Sequence, residues 1–196
     1  MSKSFLESIK VLDGVVYHLA YHQARLERSL ESIGVSTFHH LASLISPPQN
    51  GLYRCRVIYN AKSIAIEYLP YKKREIYHLK IVSSHNIAYP FKYEIRSSLE
   101  RLFTQRGEAD DILIVKNGYV TDTSIANIAF YNGEIWLTPK RPLLYGVTRE
   151  RLLNEAKIVE EDIRVEDIKK FKKIALMNAM IDFDIIAEEN IGEIIC

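Results

Sequence analysis

An α+β fold with two sheet-containing lobes and flanking helices is predicted by three observations. Runs of alternating apolar and polar residues recur along the chain, bounded by Asp-Gly and Asn-Gly turns. Helical spacing of apolar residues is confined to a few separated segments. The 196 residues, 47% hydrophobic and 26% charged, suffice for one large or two small cores.

Residues 6–12 and 15–19 flank Asp13-Gly14 and read as a hairpin. Residues 20–33 read as a helix, with Ala20, Ala24 (Leu26 beside it), Leu30 and Ile33 near one face and Gly34 closing it. Ser36 starts a second helix that runs to about residue 45, where Pro47-Pro48 stops it. Residues 53–59, 63–69 and 76–83 each alternate and read as a three-stranded meander. Residues 84–91 form a linker, and 95–106 a helix striped by Ile95, Leu99, Leu102 and Phe103.

Four strands follow, at 111–115, 119–121, 127–131 and 134–138, joined in part by Asn117-Gly118 and Asn132-Gly133. A helix over 148–159 is entered from Gly146-Val147. Residues 164–171 connect to a buried strand at 173–178, and short strands near 184–187 and 193–195 end the series. The expected division is a smaller α+β lobe over 1–86 and a larger one over 87–196.

Composition narrows the function. The net charge of +1 comes from 26 basic and 25 acidic residues without long runs, and gives no basis for a nucleic-acid or membrane partner. No apolar stretch approaches the roughly 20 residues of a membrane helix. Charge at the N-terminus stands where a signal peptide needs its apolar run, so a cytoplasmic location is expected. Cys55 and Cys196 do not make a disulfide framework.

Chemistry concentrates in residues 119–127, Tyr-Val-Thr-Asp-Thr-Ser-Ile-Ala-Asn. One acid and three hydroxyls within five residues, where a strand meets a loop, suggest that something polar sits against them. Upstream lies Lys92 in Ala-Tyr-Pro-Phe-Lys-Tyr-Glu-Ile-Arg, and downstream a Gly146-Val147-Thr148-Arg149 turn opens a helix. A lysine, an acid and a helix N-terminus in this order suit pyridoxal phosphate, which needs an amine, a partner for the ring nitrogen and an anion site. Arg96, four residues on from Lys92, stands one helical turn away and could lower the lysine's pKa. Plainer readings exist. Asp122 could cap a turn, Thr148 could cap a helix, and Arg25 could pair on an exposed helix face with Glu27 or Glu31.

The chain resembles fold-type IV pyridoxal-phosphate enzymes, which include branched-chain and D-amino-acid aminotransferases and aminodeoxychorismate lyases. The resemblance runs through residues 5–14, His22-Gln-Ala-Arg25-Leu26, 92–96, 120–127, 144–149 and Asn178-Ala179-Met180. It implies a D-amino-acid-aminotransferase-like fold, a homodimer and pyridoxal 5′-phosphate as cofactor. It implies that Lys92 is the Schiff-base lysine and Arg25 the phosphate-binding arginine. Val147 and Thr148 would contact the phosphate, Leu144 would pack on the ring, Asp122 would face the ring nitrogen, and Asn127 would support that loop. Arg54, Arg56, Arg96 and Asn178 are candidate substrate contacts. His18 and His22, four apart, have no further ligand cluster nearby, so no metal is expected.

Two departures stand out. Asp122 replaces the family's glutamate, and the opening hairpin that precedes the segment at 5–14 is missing. Lys92 with Arg96 and the late Asn178-Ala179-Met180 resemble the lyases, implying release of pyruvate from 4-amino-4-deoxychorismate to give 4-aminobenzoate. An amino-acid aminotransferase of branched-chain or D-amino-acid type is the alternative, and a truncated, non-catalytic cofactor-binding homologue is a third reading.

Overall fold

The computed structural model describes residues 3–188 and 191–195. It is an α+β structure that divides into two compact units. The first holds residues up to Lys73 together with Phe91–Ile95; the second holds Arg74–Pro90 and the chain from Arg96 on. The chain therefore passes between units three times, in place of the single boundary expected at residue 87.

The first unit is a four-stranded antiparallel sheet of order β2-β1-β3-β4, made of β1 (Phe5–Leu12), β2 (Val15–Val16), β3 (Leu52–Tyr59) and β4 (Ile64–Pro70). Asp13 and Gly14 both take positive φ, 47° and 80°, as the two-residue turn between β1 and β2 requires. Strict alternation along β1 turns Phe5, Glu7, Ile9 and Val11 inward. There they meet Leu26 and Leu30 of helix α1 (Leu19–Glu31), together with Leu41, Val57 and Tyr59. Each fully buried side chain of this size contributes about 1.5–3 kcal/mol. The second helix shrinks to one turn, α2 (Leu41–Leu44). Gln23 receives the Leu41 N–H at 2.8 Å and donates to the His39 carbonyl at 3.0 Å, so a side chain of α1 takes over bonds a longer helix would make internally.

Residues 91–95 return to this unit as an edge. Leu6 N–H donates to the Lys92 carbonyl at 2.8 Å, Glu94 N–H to the Ser4 carbonyl at 3.0 Å, and Tyr93 bridges Phe5. Phe5 is ringed by Tyr59, Phe91 and Tyr93.

Among the described residues the second unit contains eight strands. β5 (Leu79–Ser83) pairs parallel with β6 (Asp111–Lys116). The expected meander is therefore two strands: β5 leaves β4 and supplies the other sheet. From β6 the path runs through β7 (Tyr119–Thr123), β8 (Asn127–Tyr131) and β9 (Trp136–Pro139) to β10 (Val159–Glu161). β11 (Lys173–Asn178) pairs with β8 and carries β12 (Asp182–Ala187). Leu113, Ile128, Phe130, Ile174 and Leu176 centre the core.

Helix α3 spans Ser97–Phe103 and continues as a 3-10 turn, so Ile95 falls outside it and is 75% exposed. Helix α4 (Val147–Asn154) ends five residues before the expected limit, with Ala156 in the left-handed region at φ 52°. Ile191–Ile194 is a helical turn where a strand near 193–195 was expected. Cys55 is a buried free thiol; Cys196 lies outside the described residues.

Candidate active site

In the first unit the candidate residues gather around an acid that sequence reasoning passed over. Glu7 is fully buried, and both its oxygens are taken by Arg25, from Nε at 2.8 Å and Nη2 at 2.5 Å. His22 Nδ1 lies 2.6 Å from Glu7 Oε2, and the Tyr59 hydroxyl 3.5 Å from Oε1. Arg25 is thus a buried residue, and the exposed pair with Glu27 or Glu31 is excluded. Burial alone would raise the Glu7 carboxyl, but the Arg25 charge and the bonds from His22 and Arg25 outweigh it and hold it at about 2. Burial lowers the His22 pKa despite its bond to Glu7, and the charges of Arg25 and Lys92 push the same way. Period-two alternation was the available signal: Glu7 occupies an inward position between Phe5 and Ile9.

Lys92 is half-buried on the edge segment, its backbone pinned to β1 through Leu6. Residues 91–96 are not helical, so the four-residue spacing to Arg96 is not one helical turn. Arg96 precedes α3 in the second unit, with Nη1 3.4 Å from the Ser124 carbonyl. The proposed effect of Arg96 on the Lys92 amine therefore loses its geometric basis.

In the second unit Asp122, Asn127, Leu144 and the start of α4 are joined. Asn127 Nδ2 donates to Asp122 Oδ1 at 2.6 Å and to the Leu144 carbonyl at 2.8 Å. Leu144 N–H donates to Asp122 Oδ2 at 2.9 Å. Asp122 is buried and held here by neutral donors, and burial raises its carboxyl to about 6 against those bonds and the more distant Arg149 charge. For an acid raised above its unfolded value, the ionised form costs stability. That cost is absent near pH 4 and complete above about pH 6. We expect Asp122→Asn to gain about 3 kcal/mol relative to wild type in ligand-free protein between pH 4 and pH 8, read from thermal unfolding. A difference independent of pH contradicts the assignment.

The hydroxyls beside Asp122 are spent on the fold. Thr121 donates to the Ile114 carbonyl at 2.9 Å, and Thr123 Oγ1 accepts the Ala126 N–H at 3.0 Å. Ser124 bonds the buried Asp111 carboxyl, so the expectation that the acid and its three neighbouring hydroxyls face something polar reduces to the acid itself.

Gly146 is the N-cap of α4 and offers its first turn no side-chain cap. Val147 and Thr148 are the first two helical residues, both buried, so Thr148 is not the cap. A Cβ on Gly146 would fall inside the van der Waals surface of Asn127 Oδ1 and 3.2 Å from its Cγ. Only glycine fits against that amide. Gly146→Ala should cost about 1–3 kcal/mol and lower the melting temperature by several degrees. An unchanged melting temperature would show that the loop yields without cost.

The substrate candidates separate. Arg56 is committed to Glu67 at 2.7 Å, with Glu94 at 3.8 Å, whereas the Arg54 Nε is buried without a partner among the described residues. Asn178 Oδ1 accepts the N–H groups of Met180 at 2.9 Å and Ile181 at 3.1 Å, so this side chain shapes the β11–β12 turn.

The sequence matches the model of amino-transferase class IV over residues 4–187. An uncharacterized protein of Haemophilus influenzae is 41% identical over 180 residues, 89% of this chain and 96% of that protein. The crystal structure of "a putative 4-amino-4-deoxychorismate lyase" from Haemophilus somnus superposes with TM-score 0.86 at 33% identity, covering 92% of this chain and 97% of that one. The branched-chain amino acid aminotransferase of Escherichia coli shares the fold, with TM-score 0.78 at 15% identity over 97% of this chain and 79% of its own. The chain belongs to the class IV aminotransferase family and is a pyridoxal-phosphate-dependent enzyme of fold type IV. Among the described residues, no helix is long and apolar enough to cross a membrane.

Proposed function

We propose that this enzyme is a pyridoxal-phosphate-dependent lyase that converts 4-amino-4-deoxychorismate to 4-aminobenzoate and pyruvate, working as a cytoplasmic homodimer. The observation that carries the cofactor assignment is Asp122, a buried carboxylate fixed through Asn127 and Leu144. Its raised pKa means that a cation placed against it is strongly favoured, and a protonated ring nitrogen is such a cation. The uncapped start of α4 suits a phosphate, whose charge the helix N-terminus attracts. The residues therefore fit the group.

When bound, pyridoxal phosphate supplies a ring that withdraws electrons from the substrate bond being broken. Asp122 would hold a proton on the ring nitrogen, and Leu144 would pack against the ring. Arg25, Val147 and Thr148 bind the phosphate. Lys92 would hold the cofactor covalently, and its Nζ, once freed, would accept the C–H proton from the substrate ring. Arg54, with its unpartnered Nε, is the better of the two strand arginines to meet a substrate carboxylate.

The lyase reading draws on the H. somnus protein of that name, which is 33% identical over nearly the whole chain. An aminotransferase would use the same cofactor residues. Purified enzyme loaded with pyridoxal phosphate should form 4-aminobenzoate and pyruvate in equal amounts from 4-amino-4-deoxychorismate. Amino-group transfer from an amino-acid panel to pyruvate, with no 4-aminobenzoate formed, would replace the lyase with the aminotransferase. Sedimentation as a monomer with cofactor bound would remove the homodimer.

A further inference from the structure

Glu7 stands where alternation places apolar side chains, in one inward row with Phe5, Ile9 and Val11. A carboxylate without partners is strongly disfavoured there, and its partners come from two other elements. His22 and Arg25 lie three residues apart on α1 and so share one face, while Tyr59 reaches in from β3. The guanidinium meets both carboxylate oxygens, a two-point contact that sets its plane as well as its position.

The second partner adds a constraint. An ionised carboxylate only accepts, so the hydrogen between Glu7 and His22 belongs to the imidazole Nδ1. Burial and the charges of Arg25 and Lys92 disfavour a second ring proton. Nε2 is then a bare acceptor, and it is buried without a hydrogen-bond partner among the described residues.

We infer that Glu7 is a positioning residue for cofactor binding: it orients the Arg25 guanidinium for a phosphate and holds His22 as the Nδ1–H tautomer, with Nε2 as an acceptor. The first half rests on the reading of Arg25 as a phosphate ligand; the second stands without it. Glu7 is fully buried with both oxygens engaged, so it would act on a phosphate through Arg25, which separates it from an ion pair that serves folding alone.

A double-mutant cycle with two probes, pyridoxal phosphate and pyridoxal, makes the distinction. Glu7→Gln should weaken pyridoxal phosphate about tenfold or more while leaving pyridoxal affinity unchanged. In an Arg25→Leu background, Glu7→Gln should have no further effect on either. Equal losses for both probes, or losses that add across the cycle, overturn the inference.

Nitrogen-15 NMR of the ligand-free wild type needs no variant. His22 should show a protonated Nδ1 and a bare Nε2 at neutral pH, and Glu7→Asp should retain that pattern. An Nε2–H tautomer or an imidazolium in the wild type overturns the inference. Failure of the wild type to bind either probe would instead sink the cofactor reading, and the NMR result would still judge Glu7.

Discussion

Lys92→Ala should abolish turnover while the protein keeps its fold and binds cofactor loosely. The backbone of Lys92 is held by the Leu6 N–H, a bond indifferent to the side chain, so the edge segment remains in place after truncation. What disappears, on the function proposed above, is the amine that would anchor the cofactor and move the proton. Loss of general acid–base action alone costs about 10²–10⁴-fold, and loss of the covalent anchor adds to it. The yellow colour of the loaded enzyme should vanish, and added amine substrate should bind without turning over. A variant that retains colour and activity would take Lys92 out of the mechanism.

Asp122→Asn should have the second largest effect. An amide at this position cannot hold the ring nitrogen protonated, and the Asn127–Leu144 frame was built for a carboxylate, with a donor on each oxygen. Turnover should fall on the order of a hundredfold or more, as expected when a preorganised charge is removed from a water-poor site. Cofactor affinity should change less, because Arg25, Thr148 and Lys92 are untouched. Asp122→Glu should be tolerated, since the family carries glutamate there. Wild-type turnover in the Asn variant would take Asp122 out of the mechanism.

The parts of this fold that were legible in the sequence are those set by local rules. The Asp13-Gly14 and Asn117-Gly118 turns declare themselves through residues that tolerate positive φ, and both pairs adopt it. The alternation of β1 and β3 follows from one buried sheet face. Helix α1 forms where a helix was expected, and Gly34, with φ 79°, ends it, but its buried face is His22, Arg25, Leu26, Ser29 and Leu30, and Ala20 of the expected stripe is exposed.

What local pattern concealed was partner choice. β5 alternates like its predecessors, yet it pairs with β6, and no local feature says which sheet a strand will join. Residues 91–96 resembled a helical approach to α3, but bonds with the distant Ser4 and Leu6 hold 91–95 in a non-helical course, with a tight turn between Phe91 and Tyr93. The shortening of the second helix likewise depends on Gln23, eighteen residues upstream of Leu41. At the site, Asp122 and Asn127 were named through the family resemblance, and the structure pairs them across one short hairpin. Glu7 was within reach of the alternation rule and was passed over because a strand acid is ordinarily a solvated one.

The most direct test of the central claim is to locate the covalent anchor. Purified enzyme loaded with pyridoxal phosphate is reduced with borohydride, digested and mapped by mass spectrometry. The pyridoxyl group should appear on the one peptide that contains Lys92, with the yellow colour bleached in proportion. Modification of a peptide without Lys92, or spread over many surface lysines, would contradict the assignment of this site.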